Sequence, residues 1–120
     1  MQSITKLPPT TGIDPSTADL DGWVKTEGNP SMKTWVLHTS KDGAMVSGIW
    51  ECSPGSYHAT YTAYEYVVLI QGRIVITPDG GTPVTVKAGD AFVVILGIAD
   101  MRKSRRDAAR AQRGERSNAR

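Results

Sequence analysis

Between Gly55 and Gly97 short apolar runs and turn residues alternate so regularly that the chain has room for little except short strands. Tyr57, Ala59 and Tyr61 alternate with His58, Thr60 and Thr62, a period of two that gives a strand two distinct faces. Glu65 to Ile70 is an almost continuous apolar run, and Gln71-Gly72-Arg73 bends the chain after it. Ile74 to Thr77, Pro83 to Lys87 and Ala91 to Leu96 read as further strands. Pro78-Asp79-Gly80-Gly81 and Ala88-Gly89-Asp90 separate them with residues that favour tight turns. Upstream, Lys33 to Thr39 and Met45 to Glu51 flank the turn Ser40-Lys41-Asp42-Gly43. No helical periodicity interrupts this pattern before residue 100, so the expected fold is an all-β antiparallel barrel or sandwich.

At 120 residues the chain is expected to form one domain. Pro8, Pro9, Pro15 and Pro30 break residues 1–30 into an extended arm. Leu20 to Val24 is a segment that could dock on the barrel through Trp23. The barrel itself is expected over residues 31–97. No apolar run approaches the ~20 residues of a membrane-spanning helix. The first residues lack the basic head and apolar stretch of a secretory leader. A single cysteine, Cys52, excludes an internal disulfide. Together these features lead to a cytoplasmic expectation.

The motif pieces come in a definite order: Gly48-Ile49-Trp50-Glu51, Pro54-Gly55, Tyr61 and Glu65 four residues apart, Glu65 to Gly72, and Gly89-Asp90-Ala91-Phe92. In that order they resemble the single-domain cupins related to ureidoglycine aminohydrolase. The resemblance implies a cupin-type antiparallel barrel, or jelly roll, with a small-molecule pocket inside. It also implies a homodimer and, as an alternative to a pure binding role, a metal-dependent enzyme acting on a small ureido or amide compound. Counting back from Glu65, the family's two histidine places fall on His58 and Thr60. In the second family motif Ile95 stands at the proline place and Asp100 at the histidine place. The implied pocket therefore holds His58, Thr60, Glu65, Tyr57 and Tyr61. A divalent Mn, Ni, Zn or Fe would find only His58 and Glu65 as ligands. Two ligands hold a metal weakly, since structural sites use four and catalytic sites about three.

Each of these residues also has a plainer role open to it. His58 fits a hydrogen-bonded barrel histidine, and Glu65 fits a carboxylate paired with Arg73, Lys87 or a tyrosine hydroxyl. Cys52 has no base beside it in sequence and reads as a buried, inert thiol. Trp35, Trp50, Tyr57, Tyr61 and Phe92 serve equally as core or as pocket lining.

Past Gly97 the strand formers disappear and arginine dominates. The formal net charge of +2 hides this change. Residues 1–100 carry six Lys/Arg and ten Asp/Glu, whereas residues 101–120 carry eight and two. The body is mildly acidic, so the basic pI is no nucleic-acid signal for the domain and no specific nucleic-acid partner is expected; the basic tail would give only salt-sensitive attachment to polyanions. Such a composition shift is that of an altered reading frame or a replaced C-terminus. Residues 98–120 are accordingly expected to be disordered or loosely helical, with Asp100 as a cap and Ala108, Ala109 and Ala111 favouring the helix. That would leave a barrel edge unpaired.

Overall fold

The computed structural model describes residues 3–94, 97–103 and 109–117. Ten strands carry the chain: β1 Trp23–Glu27, β2 Met32–Thr39, β3 Met45–Cys52, β4 Ser56–Tyr61, β5 Ala63–Gln71, β6 Arg73–Pro78, β7 Val84–Lys87, β8 Ala91–Val94, β9 Gly97–Lys103 and β10 Ala109–Ser117. They form two antiparallel five-stranded sheets, ordered β1-β4-β9-β6-β7 and β2-β3-β10-β5-β8. The alternation and the glycine-rich turns read from the sequence correspond to β2 through β8. At the β7–β8 turn Gly89 has φ near +95°, a left-handed conformation that a side chain disfavours. Asp90 then accepts the Lys87 backbone N–H at 3.0 Å and closes the turn.

The sheets meet through their inner faces. Trp23, Tyr57, Ala59, Tyr61, Ile74, Ile76 and Val86 come from one sheet, and Met32, Trp50, Cys52, Val67, Leu69, Ala109 and Ala111 from the other. Burying each large apolar side chain of this set is worth ~1.5–3 kcal/mol relative to leaving it in water.

The N-terminal arm is partly structural. Trp23 does dock on the core, and it opens β1, which pairs with β4 from Trp23↔Ala59 onward. Ahead of it, Ser16 and Thr34 exchange two backbone hydrogen bonds of 2.9 Å, so the arm extends the free edge of β2. The Trp35 indole N–H donates to the Ile13 carbonyl at 2.8 Å and pins the arm further.

The C-terminal segment departs from the sequence expectation. Residues 109–117 are neither loose nor helical. They form β10, a central strand that pairs with β3 on one side (Ala111↔Trp50) and β5 on the other (Arg113↔Val67). Residues 97–103 form β9, between β4 and β6. No strand propensity drives β10; tertiary context does. Ala109 and Ala111 point inward, across from Cys52 and Trp50 of β3, and both are fully buried. Its backbone groups satisfy the two strand edges that would otherwise stand open. Residues 104–108, part of the segment expected to be helical, lie outside the described residues, as do residues 95 and 96 at the end of the strand expected from Ala91 to Leu96.

Candidate functional site

In β4, Tyr57, Ala59 and Tyr61 are buried while His58 and Thr60 are only half-buried. In β5, Glu65, Val67 and Leu69 are the buried set. The inward-facing pair nearest Glu65 along β4 is therefore Ala59 and Tyr61, one residue out of phase with the motif count. A one-residue slip moves every side chain to the other face of a strand. His58 and Thr60, expected in the pocket, consequently lie on the outer face. The His58 imidazole Nε2 stands 3.3 Å from Asp79 Oδ1 at the surface. His58 and Glu65, the expected metal ligands, are thus not brought together. Among the described residues no group of three or more His, Cys, Asp or Glu converges on a common point.

The structure does gather Tyr57, Tyr61 and Glu65 on the inner faces, joins Trp23 and Trp50 to them, and adds one residue that the motif count missed. Trp23 is the hub, with edge-to-face contacts to Trp50 at 6.0 Å and to Tyr57 and Tyr61 at 5.7 Å each. The Tyr57 hydroxyl donates to Asp19 Oδ1 at 2.8 Å. The Tyr61 hydroxyl is buried with no hydrogen-bond partner among the described residues.

The missed residue is Arg113. It follows Ala109 and Ala111 at the inward spacing of β10, and its guanidinium meets Glu65 in a two-pronged pair. Arg113 Nε donates to Glu65 Oε1 at 2.7 Å, and Nη2 donates to Glu65 Oε2. Nη2 also reaches Glu115 Oε1 at 3.5 Å. The guanidinium carbon lies 5.7 Å from the Trp23 ring centre and 5.8 Å from that of Trp50, within range for cation–π attraction. Only 3% of the Glu65 side chain and 11% of the Arg113 side chain is exposed. Burial raises the Glu65 carboxyl above its ordinary value, Arg113 opposes the rise, and the neighbouring Glu115 adds to it. At Arg113 desolvation is the largest single influence and weakens its hold on the proton, but the field and hydrogen bonds of Glu65, with smaller help from Tyr61 and Glu115, together outweigh it and raise the guanidinium above its ordinary value. The period-two rule, applied to residues 109–115, is the one sequence signal that could have placed Arg113 inside.

Two cavities adjoin the pair. One, about 10 Å³, is lined by Trp23, Trp50, Glu65, Val67, Ile74, Phe92 and Arg113. It has room for about one water. The other, about 110 Å³, lies among Leu20, Thr34, Gly48, Arg113 and Glu115 with Val36, Val46 and Ile49. The Thr34 hydroxyl is buried with no hydrogen-bond partner among the described residues. Cys52 is buried, as a structural thiol would be.

Two packed antiparallel sheets with a glutamate and aromatic rings between them define a jelly roll of the cupin class. The EutQ-like cupin domain matches residues 39–105, more than half of the chain. The chain belongs to that family. No curated protein matches it. Among solved structures, the EutQ protein of Clostridium difficile is 20% identical, with a TM-score of 0.63, over 73% of this chain and 69% of that one. A putative ethanolamine utilization protein Q from Salmonella typhimurium is 18% identical, with a TM-score of 0.63, over 74% of this chain and 72% of that one. A protein of unknown function in the DUF861 family, from Pseudomonas syringae pv. tomato, is 21% identical, with a TM-score of 0.69. That likeness covers 85% of this chain but 43% of the Pseudomonas chain. At these identities the likeness speaks for the fold.

Proposed function

We propose that this cupin is a small-molecule binding module whose ligand sits in the cavity of about 110 Å³ between Leu20 and strands β2, β3 and β10. The observation that carries the reading is Thr34, which lines that cavity and whose hydroxyl is shut off from solvent without a hydrogen-bond partner among the described residues, so that a turn about χ1 toward the cavity would bring it to a ligand. Such a group costs ~1–3 kcal/mol until something bonds to it. Arg113 and Glu115 add a donor and an acceptor to a lining that is otherwise mostly apolar, the usual make-up of a ligand site. The volume suits a compound the size of three or four waters at ~30 Å³ each. Short amides such as acetamide and propionamide fit that size and can bond to a hydroxyl and a carboxylate.

Thr34→Val tests the reading. It removes the hydroxyl at nearly constant shape, so it should raise the thermal midpoint of the free protein. It should also abolish the midpoint rise that propionamide gives in the wild type. A wild type blind to short amides and alcohols, or a Thr34→Val variant that responds equally, would sink it.

We do not favour a metal-dependent ureido or amide hydrolase, because Glu65 and the neighbouring Glu115 are both engaged by Arg113 and no histidine joins them among the described residues. A Mn, Ni, Zn or Fe ion held weakly by His58 would have Asp79, not Glu65, as its neighbour. A homodimer in the cytoplasm completes the proposal. Tyr64, Tyr66 and Ile70 of β5 and Val93 of β8 are exposed, and Tyr66 stands directly across from Val93. Among the described residues no helix is long and apolar enough to cross a membrane. Light scattering should give a dimeric mass that Tyr66→Asp reduces.

A further inference from the structure

We propose that the space between the sheets is a guanidinium-recognition site, filled in this chain by its own Arg113. The same seat then takes a free alkylguanidinium ion when residue 113 does not supply one. The inference shares Arg113 and Glu115 with the cavity reading but is tested apart from it: that one is read at Thr34, this one at Trp23, Trp50 and Glu65.

Three features point to a guanidinium rather than to any cation. The carboxylate of Glu65 receives two N–H donors of one planar fork, Nε on Oε1 and Nη2 on Oε2. An ammonium ion has no such fork and cannot reproduce both bonds in one plane. Two indole rings lie at almost equal distance from the guanidinium carbon, 5.7 Å and 5.8 Å. A delocalised, weakly hydrated cation loses less than an ammonium when it is taken from water into such a box. Finally, Glu115 stands across from Glu65 in the β5–β10 register and offers Nη2 a second acceptor at 3.5 Å. A carboxylate with 3% of its side chain exposed requires a cation, and this box supplies the shape of one cation in particular.

The seat is also preformed by groups other than Arg113. Trp23 is fixed by edge-to-face contacts with Trp50, Tyr57 and Tyr61. Val67, Ile74 and Phe92 also line the seat, where the free space is only about 10 Å³. Truncating Arg113 would therefore open a hole whose outline is that of the lost side chain, with the carboxylate at its end. Arg113 acts as a tethered ligand: delivered by a central strand, it is present at a high effective concentration and shields the seat from free guanidino compounds.

Chemical rescue of Arg113→Ala tests this. The probes are n-propylguanidinium, n-propylammonium of equal charge, and neutral n-propylurea. The readouts are the thermal midpoint and tryptophan fluorescence. We expect n-propylguanidinium at millimolar concentration to raise the midpoint saturably, as mass action requires of a ligand bound only by the folded state. It should change the tryptophan emission in parallel and bind at least about tenfold tighter than n-propylammonium, the scale of one additional charge-assisted hydrogen bond. The double variant Glu65→Gln with Arg113→Ala should lose the effect. Equal responses to the two cations, a response that survives loss of Glu65, or no response would show that the pair is a structural brace only. If Arg113→Ala does not fold alone, it should refold with n-propylguanidinium and not with n-propylammonium. Failure with both overturns the proposal.

Discussion

Glu65 and Arg113 are each other's compensation inside an otherwise apolar core. Removing Arg113 leaves Glu65 buried without a cation, and removing Glu65 leaves Arg113 with only its longer contact to Glu115; breaking a buried pair in this way typically costs ~3–5 kcal/mol. Glu65→Gln should therefore shift the urea midpoint far more than Glu51→Gln. Glu51 pairs with Arg110 where both are about one-third exposed, and such pairs are worth ~1 kcal/mol or less. Replacing both partners, Glu65→Leu with Arg113→Met, should recover most of the loss because no charge is left unpaired. Equal midpoints for Glu65→Gln and Glu51→Gln would contradict the pair's burial.

The tyrosines give a pH signature at the same scale. Burial raises the Tyr61 phenol well above its ordinary value near 10, and the negative Glu65 adds to this. Burial and the hydrogen bond to Asp19 do the same for Tyr57. A raised folded-state value means that the folded form holds its proton more tightly than the unfolded one. Their contribution to stability is then complete below pH ~10 and is lost as pH rises beyond it. Denaturant midpoints should fall above pH 10 in the wild type and fall less in Tyr61→Phe. The inward place of Glu65 was legible from its position between Tyr61 and Gly72. Its partner was not, because an arginine 48 residues away carries no local mark of pairing.

Strand β3 passes unusually close to β2. A Cβ on Gly48 would come within 1.8 Å of the Trp35 carbonyl oxygen, a backbone atom that cannot swing aside. The β2–β3 register shifts just there, between Val36 and His38. Gly48→Ala should cost at least ~1–3 kcal/mol by overpacking. Gly114 in β10 has nothing within 4 Å of the equivalent position. Gly114→Ala should be neutral or slightly stabilising, since glycine within a strand loses more freedom on folding than alanine. Thermal midpoints of the two variants in the reverse order would refute this placement of the strands. The strands themselves were readable from alternation, but the facing of β4 was not. Alternation shows that Tyr57, Ala59 and Tyr61 share a side. Which side is inner depends on partners such as Trp23, whose ring occupies that interior and excludes a second reading of the phase.

At the scale of the whole molecule, β10 joins the N-terminal half of its sheet to the rest. β2 and β3 lie on one side of it, β5 and β8 on the other. Composition hid this role, because a strand that reads Ala-Arg-Ala-Gln-Arg-Gly-Glu-Arg-Ser offers no apolar stripe. What makes it a strand is supplied by the rest of the chain: two open edges, a packed inner face at Cys52 and Trp50 that takes small side chains, and a buried glutamate that needs a cation. Terminating the chain after residue 108 should consequently remove more than a tail. It would expose the facing edges of β3 and β5, uncover the inner face at Trp50 and Leu69, and strand the Glu65 charge. The truncated protein should lose its cooperative thermal transition and aggregate through the exposed edges. Gly114→Pro in the full chain should reproduce much of the loss, because proline removes a ladder hydrogen bond from a central strand. A truncated chain that kept the wild-type midpoint by calorimetry would return residues 109–117 to the loose basic tail that their composition suggests.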